Sequence, residues 1–229
     1  MKPGADAMPR ARIGLFGGTF NPVHSGHIHA ARAVRDRLEF REVLLIPSYR
    51  PPHKGTVGLA PAQDRLAMVR LAVRDCPGLA ASAVEVEARE TSYAVLTLDK
   101  MKAAYPGARL FFVLGTDAFA EIETWKDYRH LLEECLWVIM SRPGGARADA
   151  RRVLGSRPAA LCRVLTAGER LRDADLARVR FIFLDVDALD ISSSAVREAV
   201  RNGRPIAGLV PPAVEDYLRS HQLYRKDNG

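Results

Sequence analysis

Three histidines fall within the six residues from His24 to His29, inside LFGGTFNPVHSGHIHAARAV, the stretch Leu15–Val34. Metal and phosphate are the two chemistries such a cluster suggests. His24 and His27 are three residues apart, which suits two metal ligands, yet no cysteine lies near and the next acidic residue is Asp36. The stretch also opens an apolar helical pattern. A helix start presents free N–H groups and the positive end of the helix dipole, which favour an anion over a cation. Gly17 and Gly18 let the backbone turn and approach a ligand with no Cβ in the way. Asn21-Pro22 favours a further turn, and Ser25 is placed to act as N-cap. His27 then lies in the first helical turn and His24 just ahead of the cap. Phosphate held by imidazole and backbone donors is the preferred reading; a metal site or plain capping are the alternatives. His29 points to another helix face and reads as a surface or packing residue. The loop is neither a GxxxxGK[ST] nor a GxGxxG motif.

A second stretch, ISSSAVR from Ile191 to Arg197, follows the apolar run FIFLDV and enters another helical pattern. Hydroxyls at Ser192, Ser193 and Ser194 can cap that helix and bind phosphate. Arg197, one turn further in, can reach back toward the same anion. Alone, an ordinary serine cap with a surface arginine would be the better reading. With the histidine loop upstream, phosphate is preferred.

These residues need elements to position them. Apolar, strand-sized runs are expected at Arg12–Phe16, Val43–Ile46, Ser82–Val86, Leu110–Leu114, Leu136–Met140 and Phe181–Leu184. Helical patterns are expected at Gly26–Leu38, Pro61–Asp75, Tyr93–Ala104, Tyr128–Glu134, Ser193–Arg201 and Pro212–Ser220. The Arg- and Ala-rich stretch Gly144–Arg178 reads as a helix plus loops. Near-continuous apolar strands separated by helices imply a parallel sheet covered on both faces. The expected fold is therefore α/β, a doubly wound Rossmann-like sheet with a small C-terminal helical part. Its ligand is expected at the carboxyl ends of the strands. Residues 1–11 read as a flexible tail and 12–225 as one domain.

Composition bounds the rest. Of 229 residues, 48% are apolar, enough for a sizeable core, and the net charge is +7, which suits polyanionic partners. A basic nucleic-acid-binding protein is the reading from another class, but aromatics are sparse and no RRM-like or Gly/Arg-rich pattern occurs. Cys76, Cys135 and Cys162 form neither a CxxC nor a disulfide framework, so reduced thiols and a cytoplasmic location are expected. No secretory pattern opens the chain, and its apolar runs are too short to span a bilayer.

GGTFNPVHSGH resembles the signature of the HxGH nucleotidylyltransferase superfamily, usually GG[ST]FDPxHxGH, with Asn21 where Asp is common. ISSSAVR resembles the same superfamily's IS[ST][ST]xxR. RPPHK (Arg50–Lys54), ETSYAVLTL (Glu90–Leu98), GTDAFAEIETWKDYRHLL (Gly115–Leu132), SRPG (Ser141–Gly144) and GLVPPAVEDYLRSHQLY (Gly208–Tyr224) resemble segments of the bacterial nicotinate-nucleotide adenylyltransferases. The resemblance runs from about Arg12 to Arg225. It implies transfer of AMP from ATP to nicotinate mononucleotide, giving deamido-NAD and pyrophosphate in NAD biosynthesis. By resemblance, His24, His27 and Arg197 would be catalytic. Gly17, Gly18, Thr19, Phe20, Asp117, Arg142, Ile191, Ser193 and Ser194 would join them around ATP, Asp117 at a ribose and Arg142 near the phosphates. Lys54, Tyr93, Ala94 and Trp125 would hold the mononucleotide, with Trp125 stacked on the pyridine ring and backbone N–H groups near Tyr93–Ala94 and Trp125 on its carboxylate. The family usually reads SYT where this chain has SYA. Mg²⁺ is expected to arrive on ATP, with no protein ligands. The expected partners are ATP and nicotinate mononucleotide, not nucleic acid or membrane, and homo-oligomerisation is left open. Other nucleotidylyltransferases, acting on nicotinamide mononucleotide or phosphopantetheine, share both terminal motifs.

Overall fold

Each apolar run has to bury both of its faces, and a covered parallel sheet does this. A computed structural model describes residues 10–52, 58–155, 157, 159–166, 168–187 and 189–225. Its strands are β1 (Arg12–Gly18), β2 (Glu42–Pro47), β3 (Leu79–Ala81), β4 (Arg109–Gly115), β5 (Leu136–Ser141), β6 (Cys162–Leu165) and β7 (Phe181–Asp185). They form one sheet in the order β3-β2-β1-β4-β5-β7-β6, with every pairing parallel. The helices are α1 (Ser25–Leu38), α2 (Ala62–Val73), α3 (Val84–Ala88), α4 (Ala94–Ala104), α5 (Thr116–Ala120), α6 (Tyr128–Glu134), α7 (Ala146–Leu154), α8 (Ser193–Arg201) and α9 (Pro212–Ser220).

Alternation within each strand divides the core in two. Val43, Leu45, Phe111 and Val113 face one layer with α1, α2, α8 and α9. Leu44, Ile46, Leu110, Phe112 and Leu114 face the other, with α4 and α6. This explains how strands that read as unbroken apolar runs still obey a two-residue period. On α1 the buried positions are Ile28, Ala31, Val34 and Leu38, the stripe expected from the sequence. The strand order reverses direction between β1 and β4, so the crevice where ligands bind in such sheets lies beyond Gly18 and Gly115.

Three expectations need correction. Ser82–Val86 is not a strand: the third strand is Leu79–Ala81, and Val84 onward is the short helix α3, its first N–H bonded to Ser82 Oγ at 3.4 Å. The alternation in VEVEA mimics a strand, but in five residues it also puts a single buried residue, Val86, on one helical face. The stretch 144–178 contains α7 and also the edge strand β6, whose CRVL reads weakly because only Leu165 is fully buried. Ser25 is not the N-cap of α1. His24 occupies that position in an extended conformation, and the Ser25 N–H donates to Leu209 O at 2.9 Å. Residues 1–9 of the expected tail lie outside the described residues, and pairing with the sheet begins at Ala11, whose carbonyl accepts from Arg109 N–H.

Candidate active site

The histidine loop is fixed by its own geometry. The His24 N–H donates to His27 Nδ1 at 3.2 Å, so a neutral His27 carries its proton on Nε2. The two imidazoles lie face to face, with centroids 3.6 Å apart at 31°. Phe20, 2% exposed and in the left-handed backbone region (φ 48°), packs edge-on to His27 at 5.0 Å. A Cβ at Gly26 would sit 3.0 Å from His24 Nδ1, so any side chain there would push the imidazole by a few tenths of an ångström. Burial of His24 pushes its pKa down from 6.5 to about 4, so it is neutral at physiological pH.

The serine motif closes onto this loop from the far end of the chain. Ser192 caps α8, its Oγ accepting from Ala195 N–H at 3.1 Å. Ser193 Oγ donates to Pro22 O at 2.9 Å. Arg197 donates to Asn21 O at 2.8 Å and to Ser194 Oγ at 3.2 Å. Buried side-chain nitrogens without a partner among the described residues include His24 Nδ1 and Arg197 Nε, one in each motif. Polar atoms left so are costly unless a ligand or water completes them.

Two cavities of about 290 Å³ each flank the carboxyl ends of β1 and β4. The first is lined by His24, Gly26, His27, Asp117, Arg142 and Ile191, among others. Asp117 lies in the first turn of α5, whose N-cap is Gly115. The loop carrying Arg142 is held by Asp185 at the end of β7, which accepts from Ser141 Oγ at 2.8 Å and from the N–H groups of Gly144 and Ala146 at 3.0 Å. Burial works against ionisation of Asp185, yet these three donors keep its pKa below the ordinary value.

The second cavity is lined by Tyr93, Ala94 and Trp125, and also by Gly17, Gly18 and Thr19. The glycine loop therefore borders the expected mononucleotide residues rather than the histidine cavity. The Tyr93 N–H already donates to Thr91 O at 2.9 Å and the Trp125 N–H to Ile122 O at 3.0 Å. Leu96 and Thr97 N–H both donate to Tyr93 O, at 3.0 and 3.1 Å, which leaves the Ala94 and Val95 N–H groups as the first-turn donors of α4 without intrahelical acceptors. Lys54 lies outside the described residues.

Sequence reasoning missed several residues that hold this arrangement. Arg65, fully buried, donates to Ala60 O at 2.9 Å, Thr19 O at 2.7 Å and Tyr49 O at 3.1 Å, tying three loops together. A signal existed: Arg65 falls on the same helical stripe as Val69 and Ala72. Asn21 uses its whole amide, Nδ2 donating to Gly58 O and Oδ1 accepting from Ala60 N–H and Tyr224 O–H. A carboxylate could not make the Gly58 bond. Among the described residues no cluster of three or more His, Cys, Asp or Glu is placed to hold a metal, and no helix is long and apolar enough to cross a membrane.

A doubly wound parallel sheet, with two distant motifs joined over its switch point, defines a nucleotide-handling α/β protein of the nucleotidylyltransferase class. Residues 15–199 match the family model described as Cytidylyltransferase-like. A relative from Citrifermentans bemidjiense is 40% identical over 219 residues, covering 93% of this chain and 98% of its own, and one from Geobacter sulfurreducens is 39% identical over 216 residues, covering 94% and 99%. Both bear the name "Probable nicotinate-nucleotide adenylyltransferase". The chain belongs to this family. In fold it resembles the Plasmodium falciparum nicotinic acid mononucleotide adenylyltransferase, solved in complexes with NaAD (TM-score 0.67) and with APC (TM-score 0.65), at 17% identity over 94% of this chain and 98% of that one.

Proposed function

We infer that this protein transfers AMP from ATP to nicotinate mononucleotide, releasing pyrophosphate and forming deamido-NAD. One observation carries the reading: the bonds from Ser193 to Pro22 O and from Arg197 to Asn21 O, which tie the serine motif to the histidine loop at the cavity lined by His24, His27 and Ile191, beside a second cavity lined by Tyr93 and Trp125. The mononucleotide phosphate oxygen attacks the ATP α-phosphorus, the bond to the β-phosphate oxygen breaks, and pyrophosphate leaves with that electron pair. No covalent enzyme intermediate is required. The chain's part is positioning and charge stabilisation.

In this reading His24 and His27 donate to the α-phosphate region as negative charge builds there. Ser193, Ser194 and Arg197 hold the departing pyrophosphate. Arg142 contacts phosphate oxygens and Asp117 accepts from a ribose hydroxyl. Gly17 to Thr19 lie where the two substrates meet. Phe20 acts by packing His27, and Ile191 by its backbone at the start of α8. Trp125 and Tyr93 enclose the pyridine ring, Ala94 offers its N–H, and Lys54 remains assigned to the mononucleotide phosphate. Mg²⁺ would ride on the triphosphate and lower repulsion between the two anions. A donor set of two imidazoles and one nearby carboxylate suits an ion that keeps its water and phosphate ligands.

The test is pyrophosphate release from ATP and Mg²⁺ with a panel of acceptors: nicotinate mononucleotide, nicotinamide mononucleotide and phosphopantetheine. Turnover of the first supports the reading. Turnover of another acceptor alone, or salt-sensitive nucleic-acid binding with no turnover, overturns it.

A further inference from the structure

A single backbone N–H is a weak judge of an acid against its amide, because both offer it a carbonyl oxygen. A net positive charge separates them, since only the acid is an anion. In the second cavity the only cation among the described lining residues is Lys126; Glu85 and Glu121 are its acidic lining residues. Lys126 Nζ stands 4.8 Å from the centroid of the Tyr93 ring, and Tyr93 is the N-cap of α4. The ring face holds the ammonium at the wall of the cavity, which Ala94, where the family usually carries a hydroxyl, also lines. The Tyr93 and Trp125 N–H groups are engaged within their own loops. Glu85 opposes an incoming carboxylate less than an exposed acid would. Thr97 Oγ1 donates to its Oε1 at 2.6 Å, and burial raises its pKa, favouring the neutral form.

The geometry points to Lys126 as the specificity-determining residue of the acceptor cavity: its ammonium pairs with the pyridine carboxylate and replaces the hydroxyl missing at Ala94. This rests on the acceptor reading given above. Lys126 is exposed, so the pair is partly screened and its effect is of moderate size.

The experiment measures kcat/KM for nicotinate and nicotinamide mononucleotides at saturating ATP. It uses the unaltered protein, Lys126→Met, Lys126→Arg and Lys126→Glu. Lys126→Met is expected to lower kcat/KM for the acid about tenfold, through KM, while the amide changes by less than about twofold. Lys126→Arg restores most of the acid's value, and Lys126→Glu falls below Lys126→Met. The KM for ATP stays constant throughout. An unchanged acid-to-amide ratio in Lys126→Met, or equal losses for both substrates, overturns the inference while leaving the acceptor reading intact. If the unaltered protein turns over neither mononucleotide, the acceptor reading itself fails and the inference falls with it.

Discussion

The two cavities share a floor at the ends of β1 and β4 and are built in opposite ways. The histidine cavity is closed by bonds between residues 171 and 176 positions apart, and backbone carbonyls accept both of them. The acceptor cavity is lined from five stretches, 17–19, 46–52, 85–97, 112–118 and 121–126, and its character depends on a few side chains. Gripping a triphosphate needs spacing and backbone direction. Telling an acid from its amide needs a charge in one place. On the proposed roles, the first demand leaves a motif in the sequence and the second leaves a single residue.

The largest expected effect removes the contrast by loosening both cavities. Arg65→Met strips donors from three buried or half-buried carbonyls, at a cost of about 4 kcal/mol by chemical denaturation. Because Thr19 and Tyr49 lie in different loops, KM for ATP and for the mononucleotide should both rise.

The second effect belongs to the histidine cavity alone. His24 has a folded-state pKa of about 4 against 6.5. Between those values the unfolded chain takes up the proton first. The contribution of this group is therefore complete above pH ~6.5 and is lost as pH falls toward 4, to a total of about 3 kcal/mol. Melting of the ligand-free protein across this window should show the loss, and His24→Asn should flatten it.

Third, His24→Ala and His27→Ala should each lower kcat about 10²-fold or more with little change in mononucleotide KM, as when an oxyanion donor is lost. Near-normal kcat in both would sever the histidine cavity from the chemistry. The smallest effect sharpens the contrast from the other side. Trp125→Ala should raise mononucleotide KM about tenfold, from lost stacking area, and leave ATP KM unchanged.

The sequence made the α/β sheet legible because its strands are long enough to show both faces. Tyr128–Glu134, Ser193–Arg201 and Pro212–Ser220 match the expected helices end for end. It concealed β6, a four-residue edge strand with one fully buried position, and α3, too short for its period to declare itself. Of the residues the fold brings together here, His24, His27, Ser193 and Arg197 were visible in the sequence as parts of two motifs of fixed spacing. Arg65, Asp185 and Lys126 were not, since each is an isolated charge whose use depends on neighbours elsewhere in the chain. The Ser25 assignment failed because a histidine took the capping position, and only the folded geometry reveals that the His27 imidazole can accept the N-cap N–H, the bond a Glu or Gln at that position usually accepts.

The tie between Pro22 and Ser193 also has a consequence for synthesis. A ribosome makes Pro22, in the histidine loop, 171 positions before the serine that ties it. Any polypeptide released before residue 192 lacks the two bonds from Ser193 and Arg197 and keeps only the loop's own contacts and those to Gly58 and Ala60. Tyr224 extends the requirement further along the chain: its O–H donates to Asn21 Oδ1, and a polypeptide that stops short of it loses that bond.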